Sequence, residues 1–173
     1  MIISSIKSEY LRYKKLGEGA IEQIPNDGIN KVFGEDNNSI SVIVYHISGN
    51  LKSRFTDFLK TDGEKSWRKR DTEFFERNFT REELTEKWNE GWNVLMETLA
   101  ILSDADLNKV VTIRNKELTV IEALHRSLAH ASYHVGQIVY IARTTVGKDW
   151  KSLSIPRGES VEYNKNPVKE KSV

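Results

Sequence analysis

Three of the four histidines, His125, His130 and His134, fall within ten positions of one another, and the fourth is His46. On a helix, His130 and His134 are separated by about 40° around the axis and about 6 Å along it, so they share a face. His125 is turned about 140° from His130 and about 180° from His134, which sets it aside as a surface or polar-core residue. Imidazoles one turn apart can aim nitrogens at a common point and chelate a divalent metal, but two ligands rarely suffice. His46 is the one further histidine, beside Ile43 and Ile47 on the edge of an apolar stripe. A site of His46, His130 and His134 would keep open positions for water or substrate, as catalytic sites do, and would suit zinc, nickel or another late first-row ion. The same spacing also occurs in helices without metal. Ser127, His130, His134 and Gln137 form a polar strip beside an apolar one, and Asn50 extends a matching polar line one turn after His46. A buried polar strip needs partners, because unpaired polar groups are expensive there.

Other chemistries are excluded or unspecified. The chain has no cysteine, so it holds no thiolate zinc knuckle, iron–sulfur cluster or cysteine nucleophile, and any thiol chemistry needs an outside thiol. Glu122 and His125 make one Glu-x-x-His, the element used twice in di-iron bundles, but Ile43, Ser127 and Ala131 precede the other histidines at that spacing. His-Glu-x-x-His, Gly-x-Ser-x-Gly and the phosphate- and dinucleotide-binding glycine loops are absent. Trp88 and Trp92 read as core rather than as a stacking platform. Lys65, Arg68, Lys69 and Arg70, interleaved with Glu64, Asp71 and Glu73, read as a solvated loop.

The elements that would position these residues are helical. The prolines, Pro25, Pro156 and Pro167, lie outside four periodic stretches. The first runs through Ile3, Ile6, Tyr10, Tyr13, Gly17, Ala20 and Ile24. Ser39 caps a second, through Ile40, Ile43, Ile47, Leu51, Phe55 and Phe58, ended by Thr61-Asp62-Gly63. The charged, aromatic segment 64–79 reads as an ordered connection. Thr80 with Glu83, and Thr119 with Glu122, are capping-box patterns that open the third helix, through Leu102, and the fourth, to about Thr144. Val110-Val111-Thr112-Ile113 and Arg114-Asn115 suggest a short strand and turn between them. These patterns predict an all-α four-helix bundle over residues 1–154, in which the long connection places helix two beside helix four. A polar tail follows over residues 155–173, with Ile155, Val161, Tyr163, Val168 and Val173 to anchor it, packed on the surface or partly flexible.

The 173 residues suit one domain, and 26 basic against 25 acidic side chains leave a charge of +1. That balance argues against nucleic acid as a partner bound through charge alone. No apolar run approaches the roughly 20 residues that span a bilayer, the mean hydropathy is −0.53, and the first residues resemble neither a signal nor a transit peptide. A cytoplasmic protein with no membrane partner is expected.

The runs Val44-Tyr45-His46-Ile47-Ser48-Gly49-Asn50-Leu51 and Ser127-Leu128-Ala129-His130-Ala131-Ser132-Tyr133-His134-Val135-Gly136-Gln137-Ile138 resemble the DinB/YfiT-like metalloprotein superfamily. The loop Asp62-Gly63-Glu64-Lys65 and the tail Leu153-Ser154-Ile155-Pro156-Arg157-Gly158-Glu159-Ser160 resemble a bacterial branch of it. The resemblance implies a four-helix bundle of up-down-down-up order, a homodimer, and one nickel or zinc ion on His46, His130 and His134, with Gln137 in support. Some members of that superfamily use the metal to activate a low-molecular-weight thiol such as bacillithiol, mycothiol or glutathione, and others are isomerases or have no known activity. The first functional expectation is therefore a metal-dependent thiol transferase acting on a small-molecule electrophile. A metal-dependent hydrolase and a non-catalytic stress-response module that binds metal or ligand stand as alternatives.

Overall fold

In the computed structural model, which describes residues 1–167, the protein is mostly helical. Four long helices, α1 (Ile2–Gln23), α2 (Ile40–Phe55), α3 (Arg81–Ile101) and α4 (Val120–Val146), carry the core. A two-stranded antiparallel sheet, β1 (Val110–Ile113) and β2 (Lys116–Thr119), forms where a short strand and turn were suggested, adds to the helices and leads directly into α4. A four-residue helix, α5 (Ser160–Tyr163), lies in the tail.

Local signals set the boundaries. The Asp104 carboxylate accepts the N–H groups of Ile2 and Ile3 at 2.9 Å, satisfying two free donors at the start of α1. Ser39 accepts from the Val42 N–H, and both capping boxes form, Thr80 with Glu83 and Thr119 with Glu122. Helix α2 stops at Phe55, earlier than its apolar period suggests, because Thr56 turns extended and Asp57 takes a left-handed φ of 49°. Phe58 stays buried all the same, its ring 5.2 Å from that of Phe55. In the β1–β2 turn, Arg114 and Asn115 both hold φ of 57°, the conformation that closes a two-residue hairpin.

The helices bury one continuous core. Trp88 and Trp92 are both at its centre, 2% and 0% exposed, as their spacing suggested. Helix α1 meets α3 where Gly17 faces the Trp88 ring and Tyr10 meets Trp92 edge-on. It meets α4 where the Tyr10 hydroxyl donates to the Leu124 carbonyl, and just beyond its end Gly28 lies against Thr145. Helix α2 lies beside α4, as the long connection suggested, and packs more extensively still on α3. The close approach is made at Gly91, where an added Cβ would fall 2.6 Å from the Ser48 Cα, and at Thr98, whose hydroxyl donates to the Phe55 carbonyl. Helix α2 also touches α4, and that contact brings the histidines together.

After α4 the chain folds back on α1: Lys151 exchanges two hydrogen bonds with the Gln23 amide, and Leu153 covers Gly19. Ile155 and Val161 are exposed rather than anchored, while Tyr163 is half-buried. Val168 and Val173 lie outside the described residues. No described helix is long and apolar enough to cross a membrane.

Candidate metal centre

His46 enters from the middle of α2, and His130 and His134 enter from successive turns of α4. Their Nε2 atoms converge: His130 Nε2 lies 3.2 Å from His46 Nε2 and 3.2 Å from His134 Nε2. His46 and His134 are 3% and 9% exposed, and His130 is half-buried. The structure thus brings together the three histidines that spacing singled out as a group able to hold a metal ion. His125 is exposed and outside the cluster.

The far side of each ring decides what the near side offers. His46 Nδ1 is 2.8 Å from Glu73 Oε2, and His134 Nδ1 is 2.7 Å from Gln137 Oε1. Carboxylate and amide oxygens only accept, so both Nδ1 atoms carry a proton, and in the neutral ring Nε2 then presents a bare lone pair. A proton on His130 Nε2 would serve one of those lone pairs well and leave the other poorly matched in a buried setting. A cation satisfies all three nitrogens. Metal–nitrogen bonds of about 2.0–2.1 Å at tetrahedral angles place ligand nitrogens about 3.3–3.4 Å apart, close to the separations found here.

Charge favours the same state. Burial, reinforced by His134, His46, Arg68 and Arg54, lowers His130 from the ordinary imidazole range to about 3. Burial also lowers His134, against the opposing hydrogen bond that the ring donates to Gln137. Both rings are therefore neutral near pH 7, the form that a metal ion requires. Glu73 would be raised by burial, but hydrogen bonds from Arg68 and His46 outweigh that and hold it below the usual carboxylate range.

Glu73 and Arg68 were missed from sequence, where their segment reads as a solvated loop. Both side chains are buried, 4% and 2% exposed, and the guanidinium grips the carboxylate through Nε and Nη2 at 2.8 Å each. Glu73 fits against α2 because Gly49 has no side chain: an added Cβ would collide with Glu73 Oε1. Phe74 packs on the His46 ring at 4.7 Å. The signal available was the accumulation of Trp67, Phe74 and Phe75, which marks the connection as ordered without saying which charge turns inward. Of the two polar residues singled out beside the histidines, Gln137 holds His134 and is itself tied to the Tyr133 hydroxyl. Asn50 is half-buried in the wall of the cavity beside His46 and His130.

The proton balance makes stability depend on pH. Without metal, the unfolded chain takes protons onto these histidines from about pH 6.5 downward, whereas the folded His130 resists until about 3. The unfolded state then binds more protons, so stability falls as pH drops through that window. Thermal melts of chelator-treated protein are expected to show a Tm that declines from about pH 6.5 to about pH 5, with a shallower decline in His130→Ala. A Tm equally steep in both would contradict this assignment.

The chain belongs to a family described as protein of unknown function DUF1572, whose family model matches residues 1–159. No curated protein and no solved structure matches the chain.

Proposed function

We propose that the protein is a DinB/YfiT-like four-helix bundle of up-down-down-up order that binds one divalent ion, zinc or nickel, on His46, His130 and His134. It would work as a homodimer and activate a low-molecular-weight thiol for attack on an electrophile. The helix order is supported by contact pairs that advance in the same sense along α2 and α3, Ser48 with Gly91 and Phe55 with Thr98. Tyr10 with Leu124 and Gly28 with Thr145 do the same for α1 and α4, while Gly17 with Trp88 and Tyr10 with Trp92 run oppositely for α1 and α3. The homodimer rests on the superfamily resemblance.

The observation that carries the metal reading is the convergence of the Nε2 atoms at 3.2 Å with their outer nitrogens held by Glu73 and Gln137. A divalent ion held there supplies Lewis acidity that lowers the pKa of a coordinated thiol or water. The chain's own residues keep His130 and His134 neutral near pH 7 and orient His46 and His134 through Glu73 and Gln137. Glu73, backed by Arg68, offsets charge at His46, and the partial exposure of His130 leaves an approach from the cavity beside it. With no cysteine in the chain, the thiol comes from a soluble cofactor such as bacillithiol.

The test incubates zinc- or nickel-loaded protein with bacillithiol, glutathione or coenzyme A and the electrophile monochlorobimane, beside His130→Ala. Conjugation above background that disappears in the variant is the expected result. No conjugation with metal-dependent ester or amide hydrolysis moves the assignment to a hydrolase, and neither activity moves it to a non-catalytic binding module.

A further inference from the structure

The cavity of about 220 Å³ that opens beside His46 and His130 has a wall of unusual charge. Arg54, Arg68, Arg70, Arg114 and Arg126 all contribute to it, and none of the described residues that line it is acidic. Behind the wall, Glu64 is shared by Arg54 and Arg114, at 3.3 and 2.7 Å, Glu73 is taken by Arg68, and the exposed Asp71 stands 3.8 Å from Arg70. These carboxylates pair with four of the five guanidiniums, Glu64 with two of them, and leave the wall positive before any ion is added.

Arg68 Nη1 is buried with no hydrogen-bond partner among the described residues, in a side chain 2% exposed. Arg126, one turn before His130 on α4, makes no ion pair among the described residues. Arg114 is held at a backbone cost, since a left-handed φ is unfavourable for a residue other than glycine or asparagine. The Asp62 carboxylate fixes it there by accepting the N–H groups of Arg114 and Asn115 at 2.9 and 2.8 Å. Phe55, Phe58 and Ile113 give the cavity an apolar side.

We infer that this cavity takes a small, multiply anionic molecule, a carbon skeleton bearing carboxylate or phosphate groups, which the arginines receive while one end faces the histidines. Guanidinium groups match carboxylate and phosphate oxygens in geometry as well as charge. The volume is below the roughly 300–1,000 Å³ of sites for drug-sized ligands, which fits a metabolite-sized anion. The inference deepens the metal reading, on which it rests for the reacting end of the ligand, but the arginine end binds without the ion.

The test is calorimetric titration of succinate, inorganic phosphate and the neutral analogue succinamide into zinc-loaded and zinc-free protein, comparing wild type with Arg126→Gln, Arg114→Gln and the tail variant Arg157→Gln. At least one anion is expected to bind in both forms, about tenfold or more weakly in Arg126→Gln and Arg114→Gln, and unchanged in Arg157→Gln. Succinamide is expected not to bind, and the tighter of the two anions identifies carboxylate or phosphate as the preferred group. Arginine-dependent anion binding in a protein that takes up no zinc supports the inference while overturning the metal reading. Zinc uptake with no binding of either anion, or with equal affinity in wild type and both cavity variants, overturns the inference alone.

Discussion

Replacing His130 by alanine is expected to lower zinc affinity by more than about a hundredfold, because loss of a ligand exceeds the 10–100-fold typical of losing an outer hydrogen-bond partner. His130 is the middle nitrogen of the cluster, 3.2 Å from each of the other two, so its removal leaves two imidazoles with no shared neighbour. Competition titration against a chromophoric chelator measures the change. His125→Ala serves as the control: its side chain is exposed and outside the cluster, and affinity is expected to stay within about twofold of wild type. Equal losses in the two variants would mean that zinc binds somewhere else.

Glu73→Ala is expected to have the largest effect on stability. It removes the counter-charge of Arg68, a guanidinium whose side chain is 2% exposed, and it frees His46 Nδ1 at the same time. Breaking a buried ion pair by deleting one partner costs about 3–5 kcal/mol, since the other charge is left uncompensated. For a chain of this length that lowers Tm by about 6–20 °C. Zinc affinity is expected to drop about 10–100-fold, as the ring loses the acceptor that fixes its tautomer. Differential scanning calorimetry and the same chelator competition read the two effects. Glu73→Gln separates them: the amide can still accept from His46, so affinity recovers more than stability does. A Tm within about 2 °C of wild type in Glu73→Ala would show that the buried pair contributes little.

The parts of the site that were legible in sequence are those governed by local rules. Thr80 with Glu83 and Thr119 with Glu122 mark helix starts because a side chain and a backbone N–H three residues apart must meet there. His130 and His134 share a face because helical spacing dictates it, and Gln137 reaches His134 from one turn further on. Glu73 follows no such rule. It lies 27 residues from His46 in a connection without apolar period, and its inward turn depends on the space left by Gly49 and on the buried guanidinium of Arg68. The arginine wall is less legible still, because its members come from α2, the connection, the β1–β2 turn and α4. The overestimate of α2 has a local cause in turn: Phe58 keeps the helical period in sequence and stays in the core, yet the left-handed Asp57 has already ended the helix.

X-ray absorption spectroscopy at the zinc edge, on protein purified without a histidine tag and loaded with one equivalent of zinc, tests the three-histidine centre most directly. The spectrum is expected to fit three imidazole nitrogens at about 2.0–2.1 Å, with oxygen scatterers completing the shell, and to lose imidazole scattering in His130→Ala. A shell of oxygen atoms with fewer than three imidazoles, unchanged by that substitution, would contradict the assignment of His46, His130 and His134 as the metal's ligands.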